Sequence, residues 1–256
     1  MSDRPDMTHI PTKGDRVAGK VALLDRDRAA AGATAEIIEK DGGTCIVIAG
    51  DVTDPVSCEA AVARTMAECG RLDILVNVVG ISKVRGTAET VDLDEWDLDE
   101  WDMGMRLNVK SIVLMTRFAA PAMRHSGGGS IINIGSGTGL HGGHPNLLYP
   151  TAKGAIINLT RTLAGQLGGD GIRVNCVAPD FVYTPTVYAR GLPAGVRERR
   201  NAASVLKTEG TGWDVGYGVP YLVSDEARWV TGIVLPIDAG VSAISPHFSF
   251  SAQRQD

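Results

Sequence analysis

The sequence predicts an α/β fold with a doubly wound, mostly parallel sheet. Its apolar runs are short and continuous rather than alternating, as expected of strands covered on both faces. They alternate with helix-length stretches, so the chain reads as successive βαβ units with right-handed crossovers. No linker or shift in composition divides the chain. Residues 1–16 read as a polar tail and 17–256 as a single domain.

The elements follow in order. Val21–Leu24 is a strand and Ala29–Lys40 a helix that stops before Asp41-Gly42-Gly43. Cys45–Ala49 is the next strand, followed by a helix over Pro55–Cys69. Leu72–Val79 is a strand, Trp101–Ala122 a long helix, and Ser130–Ile134 a strand after three glycines. Tyr149–Leu167 is helical, Ile172–Val177 a strand, Tyr217–Val223 a helix and Ile233–Ile237 the last strand. A tandem repeat, Asp92–Trp96 then Asp97–Trp101, adds five residues, which would turn a helix face by roughly 140°. The first copy therefore belongs to a loop, with the packed helix starting near the second. Trp101, Met105 and Asn108 then share a face at i, i+4 and i+7.

Composition excludes several classes. A chain of 256 residues with 44% hydrophobic and 21% charged residues carries a sizeable core. A net charge of −5 without a Lys/Arg run argues against a nucleic-acid surface. Cys45, Cys58, Cys69 and Cys176 are scattered, which argues against disulfides and structural zinc. The N-terminus lacks the apolar core of a secretory signal, and no apolar stretch reaches the ~18–20 residues of a membrane span. The expectation is a cytoplasmic protein with no metal and no membrane partner.

In doubly wound sheets, ligands sit beyond the carboxyl ends of the strands. There the sequence places Asn77-Val78-Val79-Gly80, Gly135-Ser136-Gly137-Thr138-Gly139 and Pro179–Pro185. Next to them comes Tyr149-Pro150-Thr151-Ala152-Lys153. Positions i and i+4 share a helix face, and an ammonium beside a phenol lowers its pKa. A phenol so tuned can exchange a proton with a carbonyl or an alcohol. Pro150 fits the first turn of that helix.

These motifs, in this order, resemble the short-chain dehydrogenase/reductase family over roughly residues 17–243. The resemblance implies a Rossmann-like sheet. It makes Tyr149 the general acid/base, with Lys153 lowering its pKa and holding the nicotinamide ribose. Ser136 would hydrogen-bond the substrate oxygen, and Asn108, in Leu107-Asn108-Val109-Lys110, would position a water that relays protons to Lys153. Asp51 and Val52 match the dipeptide at the adenine ring. Asn77 and Gly80 keep part of an Asn-Asn-Ala-Gly motif, and Pro179, Val182 and Thr184 belong to the segment around the nicotinamide. Asp25 ends the strand whose acid bonds the ribose 2′-OH, which favours NAD over NADP, although Arg26 beside it can accept a phosphate. A homotetramer or dimer acting on a small alcohol or ketone is also implied.

The sequence departs from the family at its start. Gly19-Lys20-Val21-Ala22 resembles the beginning of the first strand, yet it runs straight into Leu23-Leu24-Asp25, the end of the second. The glycine-rich turn, the first helix and most of two strands are missing, so the first βαβ unit is truncated. Gly32 is a lone helical glycine and no substitute. That turn and the helix N-terminus after it cradle the pyrophosphate, so dinucleotide affinity should fall. The surviving strand can fill only one of two slots. Pro179-Asp180 also replaces the family's Pro-Gly. Two readings follow: an NAD(P)-dependent alcohol/ketone oxidoreductase, or a related binding or scaffold protein that has lost the dinucleotide.

Overall fold

The computed structural model describes residues 19–81, 97–144, 146–185, 187 and 191–244. The expected tail at 1–16 and the first copy of the tandem repeat lie outside these residues. The chain runs β1 (Lys20–Asp25), α1 (Arg28–Lys40), β2 (Thr44–Ala49), α2 (Pro55–Cys69), β3 (Ile74–Asn77) and α3 (Leu98–Met105). It continues with α4 (Ser111–His125), β4 (Gly129–Ile134), α5 (Leu148–Leu167), β5 (Ile172–Pro179) and β6 (Val182–Tyr183). The last elements are α6 (Val196–Ala203), β7 (Gly210–Thr211), α7 (Gly212–Val223) and β8 (Val234–Ile237).

The main sheet has the order β3-β4-β5-β8, and every pair in it is parallel. Its two faces are covered separately, which makes the fold doubly wound. Successive strand residues point to opposite faces. Ile131 and Val174 accordingly pack with Ile112, Met123 and Ile156 of α4 and α5, whereas Ile132 and Val177 pack with Leu222 of α7. A continuous apolar run such as Ile131-Ile132 thus serves two cores at once.

β1 pairs with β2 in a separate two-stranded parallel sheet. Among the described residues, β1 has no partner on its other edge, and β3 pairs only with β4. Val21 is 38% exposed and Ile74, Leu75 and Val76 are half-buried, whereas Ile131, Ile132, Val174 and Val177 are fully buried. The strand ending in Asp25 pairs with β2, and among the described residues no strand joins β1 to β3.

Local chemistry explains the helix ends. Asp54 accepts hydrogen bonds from Val56 N and Ser57 N, Pro55 opens α2, and Gly70 closes it at φ 78°. Asp97 caps α3 through Asp99 N and Glu100 N, so the helix starts in the second copy of the repeat, as expected. The long helix is not regular. Arg106–Lys110 form a π-turn between α3 and α4, which inserts a residue and rotates everything after it. The expected face is corrected accordingly: Gly104 and Asn108 are its buried positions, while Trp101 and Met105 are half-buried. Gly104 is required there, because a Cβ would lie 2.2 Å from Leu148 Cδ2 where α3 crosses α5.

Candidate active site

The carboxyl ends of β3, β4 and β5 and the first turns of α5 bring the predicted chemistry together. Asn146 Oδ1 accepts from Tyr149 N at 2.8 Å, fixing the start of α5. One turn on, Lys153 Nζ lies 5.5 Å from the centre of the Tyr149 ring and donates to Ile134 O at 2.8 Å. The lysine thus ties α5 to the end of β4. Burial lowers the pKa of Lys153 to about 8, opposed slightly by the Cys176 thiol.

Ser136 follows β4 in extended conformation, and its side chain is buried. Its Oγ accepts from Thr138 N at 3.3 Å and lies 3.1 Å from Thr138 Oγ1. The Ser136 hydroxyl also acts on the Tyr149 phenol, lowering its pKa. Gly139 lets this turn rest on α5, since a Cβ there would lie 2.6 Å from Lys153 C and 2.8 Å from Gly154 N.

The Tyr149 phenol is perturbed against expectation. Burial pushes it above the ordinary tyrosine value; the Ser136 hydroxyl pulls it down and the Asp180 carboxylate pushes it up again. The sequence reading, in which Lys153 lowers this pKa, is corrected here. The phenol is desolvated, and the ammonium that was to offset this is engaged with the Ile134 carbonyl.

Asn108 is fully buried in the π-turn. Its Oδ1 accepts from Ile81 N at 3.0 Å, and its Nδ2 donates to Ile81 O at 3.1 Å and Gly104 O at 2.9 Å. The amide therefore holds the chain after β3. A Cβ on Gly80 would lie 2.9 Å from Asn108 Oδ1 and 3.4 Å from Lys153 Nζ. Asn108, Lys153, Gly80, Ser136 and Tyr149 thus form one constellation.

The other expected cofactor contacts are dispersed. The Asn77 side chain turns inward, with Nδ2 donating to Asn133 Oδ1 at 2.9 Å. Asp25, at the end of β1, accepts from Asp27 N at 2.8 Å. Asp51 accepts from Thr53 N at 2.8 Å, which holds its carboxyl below the usual range. Val52 is buried, with its carbonyl facing Cys58 Sγ. Pro179 ends β5, Val182 lies in β6, and Thr184 Oγ1 accepts from Val187 N at 3.3 Å.

The site fits a nicotinamide ribose better than it fits a pyrophosphate. The bare Cα of Gly80 against Lys153 leaves a cradle that a side chain would fill. A helix N-terminus is the usual pyrophosphate seat. The N-termini of α1 and α2 are already taken by Asp27 and Asp54, whose carboxylates accept the free N–H groups. Among the described residues, no group of His, Cys, Asp and Glu could hold a metal ion. None of their helices is long and apolar enough to cross a membrane.

Sequence reasoning passed over two features. Asn146 was legible as a cap residue just before Tyr149. Asp180 was noted only as a variant of a glycine, yet its carboxyl faces Tyr149.

Comparison with known proteins agrees with this arrangement. A family model described as "Enoyl-(Acyl carrier protein) reductase" matches residues 15–242. The chain is 30% identical over 230 residues to a 7alpha-hydroxysteroid dehydrogenase of Bacteroides fragilis, covering 89% of this chain and 86% of that protein. It is 30% identical over 223 residues to a meso-2,3-butanediol dehydrogenase of Serratia marcescens, covering 87% and 84%. A solved 7 alpha-hydroxysteroid dehydrogenase, complexed with NADH and 7-oxo glycochenodeoxycholic acid, superposes with a TM-score of 0.79 at 25% identity, covering 86% of this chain and 84% of that one. With its doubly wound sheet and its Ser136–Tyr149–Lys153 grouping, the chain belongs to the short-chain dehydrogenase/reductase family of oxidoreductases.

Proposed function

We propose that the chain interconverts a secondary alcohol and its ketone with a nicotinamide dinucleotide, NAD in preference to NADP. The observation that carries this reading is the Tyr149 ring 5.5 Å from the ammonium of the buried Lys153, with the Ser136 hydroxyl close enough to lower the phenol's pKa. When bound, the dinucleotide supplies the hydride chemistry. Ser136 Oγ and Tyr149 Oη hold the substrate oxygen. Tyr149 gives its proton to a ketone oxygen or takes one from an alcohol. Lys153, fixed on Ile134 O, keeps a positive charge near that proton and lies where the ribose would rest on Gly80. Asn108 positions Ile81 and the π-turn beside Lys153, consistent with a water relay between them.

Part of the reading concerns the dinucleotide's other end. We take the first βαβ unit to be truncated, which is supported by the bare edges of β1 and β3 and by the Asp27 and Asp54 caps. Asp51, Val52, Pro179, Val182 and Thr184 remain as adenine-side and nicotinamide-side contacts. A single domain over 17–256, a cytoplasmic location and a homo-oligomer complete the proposal. The same bare edges favour a second reading, a binding or scaffold relative that no longer holds the dinucleotide.

NAD preference rests on Asp25, at the end of β1 opposite Ala49. A carboxylate there repels a 2′-phosphate. Asp25→Ala is expected to lower the ratio of NAD to NADP efficiency about tenfold, or about 1.4 kcal/mol. An unchanged ratio in steady-state kinetics would remove Asp25 from this role.

A further inference from the structure

We infer that Asp180 makes this site selective for substrates with a cationic nitrogen near the carbinol carbon, namely short amino alcohols and the matching amino ketones. The inference deepens the proposed function and rests on it for the chemistry, though not for the binding.

Position is the first argument. β4 and β5 run parallel with Ile134 opposite Val177, so Ser136-Gly137 and Pro179-Asp180 emerge side by side. A Cβ on Gly137 would lie 2.6 Å from Asp180 Oδ2 and 3.1 Å from Asp180 Cγ. The carboxyl group therefore lies flat against the residue after Ser136, on the Tyr149 side of the site.

The carboxylate is also held and, among the described residues, has no ion-pair partner. Its Oδ1 accepts from Phe181 N at 2.9 Å. Phe181 sits at φ 49°, a left-handed conformation uncommon for a bulky residue, so the turn is set by its surroundings. Among the described residues, no cation lies within ion-pair distance of Asp180. Arg200 acts on the carboxylate electrostatically, but its guanidinium is stacked 5.5 Å from the centre of the Phe181 ring and 5.9 Å from that of Tyr183. His141 faces the site from its exposed turn. Asp238, the other nearby carboxylate, already accepts from Gly240 N and Ser242 N.

A half-buried carboxylate with one backbone hydrogen bond and no ion pair is unfavourable, and burial pushes the Asp180 carboxyl up. An ammonium beside it restores the lost charge compensation and adds a charge-assisted hydrogen bond. An anionic substituent at the same place meets Asp180 and Asp238 together and is rejected. In the oxidation, the carbinol C–H leaves as hydride to the oxidised nicotinamide dinucleotide, and the O–H proton goes to the Tyr149 phenolate. The ammonium stays protonated against Asp180, and an amino ketone forms.

The test compares 1-amino-2-propanol, 1,2-propanediol and lactate, which differ in charge on one framework. Ligand-observed NMR measures their binding to the full chain and to Asp180→Asn, with Asp180→Gly as a second variant and thermal unfolding as the check on folding. The amino alcohol should bind the unaltered chain at least about tenfold more tightly than the diol. That ratio should approach one in both variants. Equal affinity for amine and diol, or a preference that survives both substitutions, overturns the inference. Turnover with NAD is measured in parallel. Amine-selective binding without turnover of any of the three supports Asp180 and counts against the oxidoreductase reading. Turnover without amine preference does the reverse.

Discussion

Tyr149→Phe is expected to reduce turnover by about 10²–10⁴-fold, the usual contribution of a positioned proton donor or acceptor. The substitution removes one oxygen, the phenolic one on which Ser136 acts, and leaves the ring against Lys153. The fold should survive, because the start of α5 is fixed through the Tyr149 backbone by Asn146. A thermal midpoint within a few degrees of the parent, with turnover lost, is the expected pair of results. Burial holds the phenol above its ordinary value. Alcohol oxidation needs the phenolate, so its rate should rise as pH rises toward the phenol's raised pKa, whereas ketone reduction, which needs the phenol, should fall. Turnover that persists in the Phe variant would assign the proton to another group.

Lys153→Met should abolish turnover and yet stabilise the chain. Burial depresses the folded-state pKa of Lys153 from 10.5 to about 8. Between these values the unfolded chain binds more protons, so stability rises with pH through that window. Below about pH 8 the lysine carries the full penalty of about 3 kcal/mol, which vanishes above about 10.5. Methionine fills the same volume without a charge, but it leaves Ile134 O without its donor, a loss of about 1 kcal/mol. The variant should therefore be more stable by about 2 kcal/mol at pH 7, and the gain should shrink toward pH 10.5. Denaturant unfolding of both chains at several pH values measures this. A less stable variant at pH 7 would mean that the lysine's contacts outweigh its desolvation.

Much of the fold was legible because its signals are local. α2 spans Pro55–Cys69 as read, since an Asp cap, a first-turn proline and a closing glycine all mark it. β3 was read two residues too long at each end. Val78 and Val79 continue the apolar run, but they are 65% and 36% exposed beyond the ladder, where composition says nothing about pairing. α6 was missed because its charged sequence, VRERRNAA, has no apolar period to read. The π-turn at Asn108 was equally hidden, as no residue type announces one inserted residue. Within the site, the i, i+4 spacing of Tyr149 and Lys153 was plain, whereas the direction of the tyrosine's shift was not. That direction depends on burial and on Lys153 turning to Ile134, and both are set by strands distant in sequence. The pairing of the strand ending in Asp25 with β2 is likewise set by residues distant in sequence.

The central claim is that a chain with this catalytic constellation binds the dinucleotide. Equilibrium titration of the full chain with NADH, followed by nucleotide fluorescence and with NADPH as control, tests this most directly. The account predicts saturable NADH binding near a Kd of about 1 mM, or about −4 kcal/mol, and weaker binding of NADPH. No saturation by a folded chain would contradict it and leave Ser136, Tyr149 and Lys153 as inherited residues without a cofactor to serve.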